Sequence, residues 1–153
     1  MYRHAGAEGI GWLVGSVHLL KRILIADDHE LSRSRLVKLF EERGWEICAA
    51  VENGKEAVEK AIELSPDLII LDVGMPVMDG IEATRRINRA LPSIPILIYT
   101  LHASSQLDFE AKNAGARQAI SKADVYSLLS AVSMISMEQS RSQAAAGAAG
   151  KAS

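Results

Sequence analysis

A doubly wound α/β fold, with five parallel strands in the order 2-1-3-4-5, is the architecture this sequence predicts. Three observations carry that expectation. Five short apolar runs alternate with helix-like stretches from residue 22 to residue 137, and such alternation implies a parallel sheet whose crossovers lay helices on both faces. The run Leu68-Ile69-Ile70-Leu71 is apolar throughout, as a strand covered on both sides is. Four of the five runs close on a polar residue, and in open α/β sheets the carboxyl ends of the strands converge on the ligand crevice.

The elements follow in order. Ile23-Leu24-Ile25-Ala26 is the first strand, closing on Asp27-Asp28. Residues 30–43 bring Leu36, Val37, Leu39 and Phe40 near one helical face, and Gly44 supplies the stop. Residues 45–51 read as the second strand. Asn53-Gly54 turns the chain into a helix over 55–64, apolar at Ala57, Val58, Ala61 and Leu64. Pro66-Asp67 ends it before the third strand, which closes on Asp72. The third helix spans 80–91, with Ile81, Thr84 and Ile87 spaced for burial, and Pro92 and Pro95 bracket the next turn. Ile96-Leu97-Ile98-Tyr99 closes on Thr100, and Ser104 or Ser105 caps a helix through Asn113 that stops at Gly115. Ala119-Ile120-Ser121 closes on Lys122, and the last helix is predicted over 122–137.

With 153 residues the chain suits one domain with a real core. Residues 22–137 form that domain. Residues 1–21 read as an extension outside it: the apolar stretch 10–20 is shorter than a membrane span, and it lacks the flanks of a signal peptide. Residues 138–153 are rich in Ala, Gly and Ser without large apolar side chains, which reads as a flexible tail. A charged fraction of 24% with a net charge of -2 suggests no polyanion-binding surface, and no basic cluster with aromatics points to direct nucleic-acid binding. Membrane association is not expected either. The lone Cys48 has no disulfide partner and reads as a small buried hydrophobe, which makes a reducing cytoplasmic setting the default.

The strand ends carry the chemistry. Two carboxylates brought within about 4 Å repel by about 4 kcal/mol at an effective dielectric of about 20. A fold that gathers Asp27, Asp28 and Asp72 therefore needs a cation, and the candidates are Lys122 and a divalent metal. Oxygen-only ligands suit Mg2+. His29 and His102 are too dispersed in sequence to be claimed as ligands of a transition metal. Beside such a cation, one carboxylate can act as a nucleophile toward phosphorus, and Asp72 at the end of the central strand is the choice. Lys122 and Thr100 would then hold phosphoryl oxygens. A single strand-end Asp is often only a cap or turn residue; the joint placement is what that bland reading explains badly.

At these residues the chain resembles the receiver domains of bacterial two-component response regulators. The resemblance rests on Ile23-Leu24-Ile25-Ala26-Asp27-Asp28-His29, on the run from Pro66 through Asp72-Val73-Gly74-Met75-Pro76-Val77-Met78-Asp79-Gly80, on Thr100, on Gly115-Ala116 and on Ser121-Lys122-Ala123-Asp124. It covers about residues 22–137 and implies a flavodoxin-like (βα)5 fold. It implies that Asp72 accepts a phosphoryl group from a sensor histidine kinase or a histidine phosphotransfer protein. Asp28, Asp72 and the Gly74 carbonyl would ligate Mg2+, with Asp27 acting through water, and Thr100 and Lys122 would contact the phosphoryl group. Pro76 and Gly80 shape the loop. A downstream protein target, not identified by the sequence, would read a surface of the fourth helix, fifth strand and fifth helix, through which a homodimer is also allowed. The protein would be no enzyme beyond its own phosphorylation and dephosphorylation.

Two departures from the family pattern stand out. The aromatic usual three residues before the conserved Lys is Ala119, and Leu101 follows Thr100 where many members have Ala. Thr100-Leu101-His102 and Ser121-Lys122-Ala123-Asp124 look like the subfamily usually fused to a helix-turn-helix, so the receiver part of a truncated transcriptional regulator is the alternative reading. A small aspartyl-phosphate phosphohydrolase is a further one. It is disfavoured because Gly74 occupies the position where such enzymes carry a general acid.

Overall fold

A computed structural model describes residues 21–152, with side chains described to residue 148. Apart from Lys21, the predicted N-terminal extension lies outside the described residues. These divide into two compact units, 21–128 and the stretch from 129 onward.

The first unit holds a five-stranded parallel sheet in the order β2-β1-β3-β4-β5. Its strands are β1 (Arg22–Ala26), β2 (Glu46–Val51), β3 (Leu68–Leu71), β4 (Ile96–Thr100) and β5 (Gln118–Ser121). Between them run α1 (Glu30–Glu41), α2 (Gly54–Leu64), α3 (Gly80–Ala90) and α4 (Ser105–Ala114), and α5 (Val125–Ala152) follows. The predicted flavodoxin-like (βα)5 topology is the observed one.

Local chemistry explains the boundaries. Asn53, Asp79 and Ser104 each accept a hydrogen bond from the backbone N–H three residues on, at 2.9, 2.9 and 3.1 Å. These side chains satisfy amides that a helix start would otherwise strand. Gly115 closes α4 with φ at 118°, in the left-handed region that glycine occupies without steric cost. The central strands β1, β3 and β4 are buried nearly end to end, as neighbours on both sides require. On one side Leu24, Ile69, Leu71, Ile96 and Ile98 meet Ala57 and Ala61 of α2, Ala83 and Ile87 of α3 and Ala111 of α4. The small helix residues let those helices approach closely. Each Leu or Ile buried there contributes about 1.5–3 kcal/mol.

Two predicted boundaries shift by three residues or more. The last helix begins at Val125 rather than 122, because the Asp124 carboxylate accepts from the Ser127 amide and hydroxyl at 3.1 and 2.6 Å. Lys122 therefore lies in the turn after β5. The helix also continues through residues 138–152, which composition reads as a flexible tail. Alanine has the strongest intrinsic helix preference, so such a stretch needs no buried face to pair its backbone groups. Among the described residues no helix is long and apolar enough to cross a membrane.

The edge strand β5 is tied to α4: the Asp108 carboxylate accepts from the Ala119 N–H at 2.8 Å. Cys48 is half-buried, its thiol 3.5 Å from the Ile23 carbonyl oxygen. Burial raises its pKa, which keeps the nucleophilic thiolate scarce.

Val77, in the loop between β3 and α3, has φ at 70° and is 77% exposed. A β-branched residue in left-handed backbone is strained by about 1–2 kcal/mol. Glycine relieves that strain but costs about 0.5–1 kcal/mol in unfolded-chain entropy. Val77→Gly is therefore expected to raise the melting temperature slightly, and a lower melting temperature would refute the strain.

Candidate functional site

The carboxyl ends of β1, β3, β4 and β5 bring the predicted residues together. Asp27 and Asp72 each extend the sheet ladder by one bond, donating their amides to Val51 and Ala26 carbonyls at 3.0 and 2.9 Å. The Lys122 amide donates to the Thr100 carbonyl at 2.8 Å. Backbone pairing thus sets the positions of three chemistry-bearing residues before any side chain is considered.

The Lys122 ammonium donates to Asp27 Oδ2 at 2.7 Å and to Asp72 Oδ2 at 2.8 Å. Asp27 is 1% exposed and Asp72 7%, so these are strong charge-assisted bonds in a poorly hydrated setting. Asp27 is fully engaged: its Oδ2 also accepts from the Ser32 hydroxyl at 2.6 Å and its Oδ1 from the His29 amide at 3.0 Å. Arg33 donates to the Asp27 carbonyl at 2.8 Å. Asp72 Oδ1 accepts from the Val73 amide at 2.7 Å.

Asp28 differs. Its Oδ1 is buried and accepts no hydrogen bond, an expensive state for a carboxylate oxygen. Single ligand atoms from Asp27, Asp28, His29 and Asp72 all lie within 4.8 Å of one another. Three carboxylates face one ammonium there, which leaves two formal negative charges. The donor set and the orphaned Asp28 oxygen fit a divalent cation of the hard, oxygen-seeking class.

Thr100 is buried at the end of β4, in register with Ser121. Gly74 lies in the exposed loop two residues beyond Asp72, with open space where a Cβ would stand. Side-chain room is thus not what glycine supplies at that position. Gly80 is different, since a Cβ there would come 2.0 Å from the Asp72 carbonyl oxygen. The site also includes Ser32 and Arg33, which the sequence did not single out because they carry no motif signal. Beside the site opens a groove of about 480 Å³ lined by Leu31, Leu36, Leu39, Tyr99, Leu101 and Lys122, among others.

Electrostatics here have a definite sign. Burial pushes the Asp27 carboxyl up, but the Lys122 ammonium, the Ser32 hydroxyl and the His29 amide outweigh it and hold it below the ordinary value. For Lys122, burial pulls down, yet the two carboxylates raise it overall. A depressed carboxyl contributes stability above its unfolded value and loses it as pH falls through its folded value. A raised ammonium contributes below its unfolded value and loses it as pH rises through its folded value. The metal-free protein should thus hold its stability across neutral pH and lose it on acidification below about pH 4. The acid loss should be shallower in Asp27→Asn; urea midpoints across pH, with chelator present, check this.

Comparison with known proteins agrees with that geometry. A family model described as the response regulator receiver domain matches residues 23–133. The chain is 37% identical over 102 residues to the chemotaxis protein CheY of Thermotoga maritima, covering 67% of this chain and 85% of that protein. It is 41% identical over 96 residues to the transcriptional regulatory protein LnrK of Bacillus subtilis, covering 62% of this chain. The match spans only 44% of LnrK's length. Among solved structures, a chain of the CheX-CheY-BeF3-Mg+2 complex from Borrelia burgdorferi superposes with a TM-score of 0.69 at 25% identity, covering 84% of this chain and 98% of that one.

Proposed function

Because this chain belongs to the response regulator receiver domain family, we propose that it is a phosphorylation switch with Asp72 as acceptor. The observation that carries the reading is the convergence of Asp27, Asp28 and Asp72 on one point with Lys122 bonded to two of them. The donor is a phosphohistidine on a sensor kinase or phosphotransfer protein. An Asp72 carboxylate oxygen forms the new O–P bond, the P–N bond to the imidazole breaks, and the leaving nitrogen takes up a proton. Phosphoryl transfer asks the protein mainly for alignment and charge neutralisation.

Each residue has a part in that alignment. Mg2+ held by Asp28, Asp72 and the Gly74 carbonyl, with Asp27 behind through water, would neutralise charge on a phosphoryl oxygen. The Borrelia relative's complex carries BeF3 and Mg+2, which supports Mg2+ as the ion. Lys122 exchanges its bond to Asp72 for one to the phosphoryl group while keeping Asp27. Thr100 donates its hydroxyl to another phosphoryl oxygen. The groove lined by Leu31, Leu39 and Leu101 gives the histidine-bearing partner an apolar seat within reach of Lys122.

The output is a protein–protein interaction made by α4, β5 and α5 near its start, which serves an unidentified target or a second copy of the chain. With Ala119 at the usual aromatic position, Thr100 and the loop after it carry the signal to α4. The protein acts in the cytoplasm and catalyses only its own phosphorylation and dephosphorylation.

Incubation with Mg2+ and acetyl phosphate tests the core of this reading. Intact-mass spectrometry should show one labile phosphoryl group on the wild type and none on Asp72→Asn. An unmodified wild type would refute the assignment. Turnover of a generic phosphate ester would favour the phosphohydrolase alternative instead.

A further inference from the structure

The first turn of α1 holds Asp27 from three sides. His29, which precedes the helix, makes no side-chain capping bond, and its amide donates back to Asp27 Oδ1 at 3.0 Å. The Arg33 guanidinium donates to the Asp27 carbonyl at 2.8 Å. The Ser32 hydroxyl donates to Asp27 Oδ2 at 2.6 Å, the same oxygen that accepts from the Lys122 ammonium at 2.7 Å. Asp27 is 1% exposed, so water does not stand in for either donor. The bond from Ser32 pairs no backbone group, so starting the helix does not require it. Two donors on one carboxylate oxygen occupy both of its lone pairs. The carboxylate plane is then fixed, and Lys122 has one direction of approach to it.

We infer that Ser32 is a positioning residue for phosphoryl acceptance: by fixing Asp27, it fixes the anchor that Lys122 keeps while its ammonium leaves Asp72 for the phosphoryl group. The inference rests on the reading of Asp72 as acceptor given above. Ser32 touches neither the acceptor nor the phosphoryl group; it acts through Asp27 and Lys122. Before transfer the ammonium is 2.8 Å from Asp72, and it has to reach a phosphoryl oxygen in the right orientation. A misplacement of about 1 Å can cost on the order of a hundred-fold in rate, which is what a fixed anchor prevents. Ser32 also lines the groove beside the site, so the helix that forms one wall of that groove is bonded, through a single carboxylate, to Lys122.

Two substitutions of nearly equal shape separate the hydroxyl from the space it fills: Ser32→Thr keeps it and Ser32→Val lacks it. Phosphorylation of the full chain by acetyl phosphate and Mg2+ is followed by intact mass. The rate constant should fall on the order of ten-fold in Ser32→Val and in Ser32→Ala, and stay near wild type in Ser32→Thr. In an Asp27→Ala background, Ser32→Val should change nothing further, because the hydroxyl acts only through that carboxylate. The Lys122 ammonium gives a readout independent of the reaction. With lysine 15N-labelled at Nζ, its resonance, identified by its loss in Lys122→Met, should move in Ser32→Val and hold its place in Ser32→Thr. A wild-type rate in Ser32→Val, an unmoved ammonium resonance, or an equal loss in the Asp27→Ala background overturns the inference and leaves Asp72 as acceptor untouched. So does a Ser32→Thr protein as slow as Ser32→Val, since shape and not the hydroxyl would then set the rate. A wild type that takes up no phosphoryl group defeats the acceptor reading and the inference together.

Discussion

Lys122→Met should destabilise the metal-free protein by about 2–3 kcal/mol. Removing one partner of a buried ion pair costs about 3–5 kcal/mol, because the other charge stays buried without compensation. Here two carboxylates are left, Asp27 and Asp72, both within 2.8 Å of the lost ammonium. The lower figure reflects the residual 10% and 9% exposure of the Lys122 and Asp72 side chains. Urea unfolding in the presence of a chelator measures the effect. Adding Asp27→Asn to Lys122→Met should recover part of the loss, since the two residues share one network. A Lys122→Met protein within about 0.5 kcal/mol of wild type would show that the pairing contributes nothing beyond an ordinary surface substitution.

Gly80→Ala should cost about 3 kcal/mol and slow phosphoryl acceptance as well. A methyl at residue 80 would sit 2.0 Å from the Asp72 carbonyl oxygen and 2.9 Å from Val73 Cα. Both are backbone atoms, which cannot rotate aside as a flexible side chain does. Overpacking typically costs about 1–3 kcal/mol, and this contact belongs at the upper end. Relief requires α3 and the β3–α3 loop to part, and that loop begins at Asp72, the proposed acceptor. Gly74→Ala is the control for stability, because open space surrounds the added carbon. Its melting temperature should match wild type. A Gly80→Ala protein equally stable would mean the loop yields freely.

The sequence showed the fold clearly where local and tertiary demands coincide. Leu68–Leu71 is bounded by Pro66-Asp67 and Asp72, so the predicted strand and the observed one share both ends. The helix predicted over 80–91 starts where expected, behind the Asp79 cap, and ends one residue earlier at Ala90. The start of α5 was harder to read: Lys122 is a good helix former, and only the side-chain bonds of Asp124 show that the helix begins after it. The stretch 138–152 reads as coil for want of apolar residues, although its alanines favour a helix without any packing.

At the site, sequence order was informative for acids that end strands, since strand ends of a parallel sheet meet on one side. Of the acids grouped near His29, Asp27 and Asp28 precede it directly in the chain, and only Asp72 is brought there by folding. Ser32 shows a different limit. Its bond to Asp27 depends on α1 turning its first coil toward β1, which residue type alone does not encode.

The Asp108–Ala119 bond bears on how copies of this molecule can meet. A strand at a sheet margin ordinarily offers its amides as a template for a stranger's backbone. Here a carboxylate already fills one donor on the rim, so ribbon-like growth from molecule to molecule is blocked at that point. Any association of copies at that point falls to side chains on the helices, a reversible kind of contact that the proposed switch could make and release.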